Sequence, residues 1–211
     1  SPTTANHVLH DLEGKIPMVI DGGPCDVGVE STVIDVHQDP PVILRPGGVS
    51  LEELQKRLPE IVVYQKHKTT QDLEKAPSSP GMKYRHYSPK AQVVLIEGNI
   101  EFIQTTLEKE LHKKQKGLKG VGIVHTNAEI KLRDTIPSSS ELISKYPGLE
   151  LHVINLTGDE SETRSKIVAR GLFSALREMD EVGVQIVYVE GIEEKGRGLA
   201  ASFVLKNEKT L

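Results

Sequence analysis

Apolar and polar positions follow two different patterns along these 211 residues. From Ala91 onward, short apolar runs alternate with longer amphipathic stretches. Gln92 to Ile96, Gly120 to His125, Leu151 to Leu156 and Ile186 to Val189 predict strands. Ile100 to Lys116, Leu142 to Tyr146 and Glu162 to Met179 predict helices, the last with Ile167, Val168, Leu172, Phe173 and Leu176 at helical spacing. Before Ala91 the runs are shorter and broken by glycine and proline. Pro2 to Leu12 predicts a short helix with Thr3 and Thr4 in its first turn. Met18 to Ile20, Ser31 to Val36, Val42 to Leu44 and Ile61 to Tyr64 predict strands. Ser50 followed by Glu53 has capping-box spacing, and Leu51, Leu54 and Leu58 give the helix behind it an apolar stripe.

Apolar strands alternating with helices imply an α/β fold with a parallel sheet covered on both faces, of Rossmann-like or flavodoxin-like type. Ligands of such sheets bind beyond the carboxyl ends of the strands, which directs attention to residues 125–127, 157–160 and 190–198. No G-x-G-x-x-G run follows the first strand of this half, and Gly196-Arg197-Gly198 predicts a tight turn before a last helix. The first half has too few elements to enclose its own core. Residues 65–90 are rich in Lys, Thr, Gln, Ser and Pro and read as an interdomain linker. The expected division is therefore 1–64, a linker over 65–90, and an α/β domain over 91–211.

Composition changes this picture little. Thirty acidic and 26 basic side chains leave a net charge of -4, so no bulk field draws the chain onto nucleic acid. Cys25 is the single cysteine, which excludes an intrachain disulfide and a cysteine-based zinc cage, and fits a reducing, cytoplasmic setting. No apolar run approaches the roughly 20 residues of a membrane span, and the first residues lack the pattern of a signal peptide. The opening without methionine reads as the middle of a longer chain.

The candidate chemistry gathers in short polar runs. Gly28-Val29-Glu30-Ser31-Thr32-Val33 makes a tight polar corner whose hydroxyls suit a carboxylate, a bicarbonate or an ammonium, although ST-turns and strand starts look similar. Arg45 stands at the end of an apolar run before Pro46-Gly47-Gly48, where its guanidinium can face a phosphate as a fork or join a surface salt bridge. Ser1, Pro2 and Thr3 suit a helix N-terminus, either binding an anion or simply capping. Lys83, Tyr84, Arg85, His86 and Tyr87 set donors and flat rings side by side within the linker, where ligand-closing groups often sit. His86, His125 and His152 lack neighbours at metal-ligand spacing. The residues alone define an anion-binding α/β protein.

Four ordered runs carry a resemblance: Ser1-Pro2-Thr3, residues 28–33, Leu44-Arg45-Pro46-Gly47, and Ser79-Pro80-Gly81-Met82-Lys83-Tyr84-Arg85-His86-Tyr87-Ser88-Pro89. Together they resemble the long, two-domain threonylcarbamoyl-AMP synthases, which have a YrdC-like catalytic domain, a linker and a C-terminal Rossmann-like domain. The resemblance implies that 1–64 is the C-terminal portion of the catalytic domain and that 65–90 is also an active-site lid. It implies condensation of L-threonine, bicarbonate and ATP, the last as its Mg²⁺ complex, into threonylcarbamoyl-AMP and pyrophosphate. The product feeds N6-threonylcarbamoyladenosine formation in tRNA, through a partner transferase. By motif position Ser31 would contact threonine, and Ser1, Arg45 and Tyr87 would contact ATP. Thr3, Thr32, Lys83, Tyr84 and His86 are second-rank candidates. No tightly bound cofactor, resident metal or membrane partner is implied.

The lysines and arginines that hold threonine and triphosphate in the family lie in a preceding portion that these residues do not include. Residues 1–211 alone are therefore expected to be catalytically incompetent. The tail departs from the family pattern, since Ala201 is followed by Ser-Phe-Val-Leu-Lys. A rival reading is a non-enzymatic nucleotide- or RNA-binding Rossmann-like module. Balanced charge and sparse aromatics weigh against an RNA platform. A third is a carbamoyl-transfer maturation factor that shares the YrdC-like domain.

Overall fold

The computed structural model describes residues 2–64, 89–97, 109, 118–126, 148–159 and 161–208. Two sheets organise them. The second half holds β4 (Gln92–Ile96), β5 (Gly120–His125), β6 (Glu150–Asn155) and β7 (Ile186–Glu190), in spatial order β4-β7-β5-β6 with every pairing parallel. This is the expected α/β architecture. Of the helix expected over 100–116 only Lys109 is described, and it is helical; the helix expected over 142–146 lies outside the described residues.

The period-2 alternation of side chains explains why β5 and β7 are central. Val121 and Ile123 of β5 join Ile96, Ile186 and Tyr188 in a cluster on one face. Val124, Val187 and Val189 point into the main core on the other, with Val93 and Leu95 of β4. That core is closed by α3 (Arg164–Val182), whose Val168, Leu172, Phe173, Leu176 and Met179 fall on one side of a 3.6-residue period, and by Ala201, Val204 and Leu205 of α4 (Gly198–Glu208). β6 is an edge strand with partial burial, as its mixed sequence requires.

The first half is built around a three-stranded sheet. β1 (Val33–Asp35) runs antiparallel to β2 (Val42–Arg45), which pairs in parallel with β3 (Val62–Val63). Before it stands α1 (Ala5–Leu12), and between β2 and β3 lies α2 (Leu51–Gln55). The capping box is present: Ser50 Oγ accepts from the Glu53 N–H at 3.2 Å, and the Glu53 carboxylate accepts from the Ser50 N–H at 3.0 Å.

Two expectations need correction. The helix expected from Pro2 starts at Ala5, because Thr4 is held extended as the N-cap and its Oγ1 accepts from the His7 N–H at 3.3 Å. Met18 to Ile20 forms no strand; Met18 is 73% and Ile20 86% exposed, and no described segment offers a partner ladder. Strand propensity without a neighbouring strand leaves backbone groups to water.

The two halves are joined by part-buried contacts. Asp11 on α1 accepts two hydrogen bonds from Arg177 on α3, at 2.9 and 2.6 Å, and Thr3 Oγ1 lies 2.8 Å from Ser174 Oγ. Val29 packs with Ala169 and Ala200, and Gly28 lies so close to the Ala169 and Arg170 carbonyls that any Cβ there would overlap backbone. The His7 imidazole accepts from the Thr3 N–H at 3.1 Å through Nδ1, which calls for a neutral ring with its proton on Nε2. Burial first, and then the Arg177 charge, push its pKa below the usual value, in agreement with that form.

Candidate functional site

Of the candidate residues, Ser31 and Arg45 are brought into direct contact. Arg45 is the last residue of β2, and Ser31 lies two residues before β1 on the neighbouring chain segment. The Arg45 Nε and Nη2 donate to the Ser31 carbonyl at 3.2 and 2.9 Å, and Nη2 also donates to Ser31 Oγ at 3.0 Å. The guanidinium is half-buried and the serine exposed, so the pair forms an open polar edge.

Its donor inventory decides what it can hold. Ser31 Oγ accepts from Arg45, which leaves the hydroxyl proton to donate outward. Among the described residues Nη1 of Arg45 carries no hydrogen bond, so two N–H groups of the fork remain. One hydroxyl donor beside a fixed guanidinium suits carboxylate or phosphate oxygens.

The surroundings hold this edge in place. The ladder register shifts between Val33 and Ile34, and Ser31 and Thr32 stand outside it. Thr32 Oγ1 donates to the Val49 carbonyl at 2.6 Å and accepts from the Val49 N–H at 3.1 Å, so this hydroxyl clasps the loop after Gly48. The Gly48 N–H donates to the Glu30 carbonyl at 2.8 Å. Gly47 is buried against the Glu30, Ser31 and Thr32 backbone with no room for a Cβ. The Arg-Pro-Gly-Gly run is therefore a backbone clasp on the Glu-Ser-Thr run.

The remaining candidates are distributed elsewhere. Thr3 is buried, with its hydroxyl between Ser174 Oγ and His7 Nδ1. Ser1, Lys83, Tyr84, His86 and Tyr87 lie outside the described residues. At the carboxyl ends of β5 and β7, the Glu190 carboxylate accepts from the Thr126 N–H at 2.9 Å and pairs with Arg164, which also bonds Thr126 Oγ1. Residues 190–198 do not simply rim a crevice there: Gly196 and Arg197 reach Glu52 and Gly48 of the first half. Sequence reasoning missed this contact, and the Asp11–Arg177 pair, because neither has a local spacing signal.

An α/β protein with an anion-suited edge built from Glu-Ser-Thr and Arg-Pro-Gly-Gly runs is the class these features define. Residues 49–202 match the family model described as threonylcarbamoyl-AMP synthase, C-terminal domain, and residues 1–47 match one described as telomere recombination. The chain belongs to the threonylcarbamoyl-AMP synthase family.

Curated relatives named threonylcarbamoyl-AMP synthase include one from Pyrococcus abyssi, 40% identical over 95% of this chain and 51% of the relative. Another, from Schizosaccharomyces pombe, is 39% identical over 95% of this chain and 47% of its own length. The chain thus spans about half the length of the curated relatives it matches. A crystal structure of P. abyssi Sua5 complexed with L-threonine aligns with a TM-score of 0.71 and 37% identity, over 99% of this chain and 54% of that one. A variant of the same protein, with a histidine and the adjacent tyrosine both replaced by alanine, aligns with a TM-score of 0.72 and 37% identity, over 99% of this chain and 53% of that one. Among the described residues no helix is long and apolar enough to cross a membrane.

Proposed function

We propose that this chain supplies one wall of the active site of an L-threonylcarbamoyladenylate synthase, with Ser31 on threonine and Arg45 on ATP. The observation that carries the reading is the Arg45–Ser31 contact, in which one guanidinium fixes the serine hydroxyl at 3.0 Å and keeps donors for an anion. In the proposed reaction the threonine amine attacks the bicarbonate carbon and water leaves, giving an N-carboxylate. An oxygen of that carboxylate then attacks the α-phosphorus of ATP, and pyrophosphate departs with its charge shared by Mg²⁺. Neither step needs a covalent intermediate with the protein, so positioning and electrostatic stabilisation supply the rate.

Ser31 suits the threonine side, because a hydroxyl can donate to the carboxylate without adding a charge that competes for the amine. Arg45 suits the triphosphate, where a planar fork outperforms a point charge. Ser1, Tyr87 and the second-rank Lys83, Tyr84 and His86 complete the nucleotide side and its lid in this reading. A solved Sua5 variant has an adjacent His-Tyr pair replaced, and His86-Tyr87 is this sequence's one His-Tyr dipeptide, which favours these two residues as candidates. The product would pass to a transferase that modifies tRNA.

The test is calorimetric titration of ATP·Mg²⁺ and L-threonine into this chain and into the protein translated from its complete reading frame. Arg45→Ala is expected to weaken ATP binding by more than about tenfold, or about 1.4 kcal/mol. Nucleotide binding that is indifferent to Arg45→Ala would move the ligand into the second half and replace this reading with a Rossmann-like binding module.

A further inference from the structure

The Gly196-Arg197-Gly198 turn has no role in the chemistry above, yet its geometry is tightly specified. Gly196 adopts φ 56°, in the left-handed region, and a Cβ on Gly198 would collide with the Glu193 carbonyl. The turn closes through the Gly198 N–H on the Lys195 carbonyl at 2.9 Å. Ser202 Oγ on α4 donates to Glu194 at 2.8 Å and ties the same loop to the helix. A rigid turn therefore presents Arg197 at the head of α4.

It presents Arg197 to the first half. Arg197 Nε donates to the Gly48 carbonyl at 2.9 Å, and the Gly196 N–H donates to the Glu52 carboxylate at 3.1 Å. The Gly48 residue is thus gripped on both sides: its N–H by the Glu30 carbonyl at 2.8 Å, its carbonyl by Arg197. Three residues earlier stands Arg45, bonded to Ser31, the residue after Glu30. An unbroken line of contacts runs from α4 to the anion-suited edge.

We propose that this turn is an interdomain latch and that Arg197 is a positioning residue for the Ser31–Arg45 pair, holding the loop in its binding geometry. The inference rests on the substrate reading given above. A loop free to move must be ordered when ligand binds, and that ordering weakens affinity; Arg197 removes the cost beforehand. The carbonyl of Gly48 needs one donor rather than a fork, so a lysine ammonium serves in place of the guanidinium.

The experiment uses the protein translated from the complete reading frame, as wild type, Arg197→Ala, Arg197→Lys and Arg45→Ala. ATP·Mg²⁺ and L-threonine are titrated into each, and amide exchange is followed at Gly48 and across β5. Arg197→Ala is expected to raise the ATP dissociation constant at least about fivefold and to speed Gly48 exchange, with β5 protection unchanged and Arg197→Lys restoring both. If Arg197→Ala binds ATP as wild type does while Arg45→Ala does not, the latch is wrong and the substrate reading stands. If affinity falls only together with β5 protection and lysine restores nothing, Arg197 is a structural tie and the proposal fails. If wild type binds neither ligand, the substrate reading fails and takes the latch with it.

Discussion

The second half owns its core, while the first half leans on other surfaces. Residues 91–205 bury both faces of the central strands, with Leu172, Phe173, Leu176 and Met179 of α3 fully inaccessible. In residues 2–64 the buried aliphatic side chains are Val29, Ile43, Leu44 and Ile61, and Val29 packs on Ala169 and Ala200 of the second half. Eight large apolar residues there stay exposed among those described, Leu9, Leu12, Ile16, Met18, Ile20, Val36, Val49 and Val62, against Val153 and Val182 in the second. Chain length does not separate the halves so much as layering does: a parallel sheet closed by the long helix α3 and by α4 buries a large core, whereas a three-stranded sheet with short strands does not.

The comparison breaks most visibly at Phe173. Phe173→Ala removes a ring from the centre of the main cluster and is expected to cost about 3–5 kcal/mol. Ile20→Ser, at an equally apolar position that is 86% exposed, is expected to stay within about 0.5 kcal/mol. Urea denaturation of both variants makes the check. A loss below about 1 kcal/mol for Phe173→Ala would mean that α3 does not seal the core of the second half.

An intermediate effect is expected where the halves meet. The Arg177 side chain is 8% exposed and its partner Asp11 37%, so the pair joins a buried cation to a partly hydrated anion. Asp11→Asn removes the charge that compensates the buried guanidinium and is expected to cost about 1–3 kcal/mol. The hydrogen bonds from Arg177 hold the Asp11 carboxyl at about 2, below its ordinary 3.8. A depressed folded-state pKa contributes stability in full above the ordinary value, and that contribution disappears as pH falls through the folded value. The wild-type urea midpoint should therefore drop between about pH 4 and about pH 2, with a shallower drop in Asp11→Asn. Parallel curves for the two proteins would remove Asp11–Arg177 from the account of how the halves adhere.

Legibility in the sequence follows the same division. Strands of the second half were readable almost to the residue, because they are short, predominantly apolar runs: Gln92–Ile96 coincides with β4, and Gly120–His125, buried along its whole length, with β5. Met18 to Ile20 shows the limit, since three apolar residues state a propensity and not a partner. The Ser31 and Arg45 candidates were visible as residue types beside glycines, yet their contact spans fourteen positions and depends on the register shift at Val33. Arg197 was hidden for a similar reason. Its partner is a backbone carbonyl 149 residues away, and a carbonyl leaves no mark in sequence.

A smaller effect than at the seam is expected at a stretch of the first half that carries local stabilisation of its own. Ser50 and Glu53 satisfy each other's backbone N–H groups at the start of α2, directly after the Gly47–Gly48 turn. Ser50→Ala keeps the side-chain volume nearly constant but removes the acceptor, with an expected loss of about 1 kcal/mol. Because α2 has only five residues and little buried surface, that loss should appear as faster amide exchange at Glu53 and its neighbours, with β5 and β7 unaffected. The Ser50 N–H holds the Glu53 carboxyl below its usual 4.5, so acidification through that range should open the box in wild type and change little in Glu53→Gln. Exchange that rises equally in α2 and β5 would show that the two halves open together, and that the first half has no stability of its own to lose.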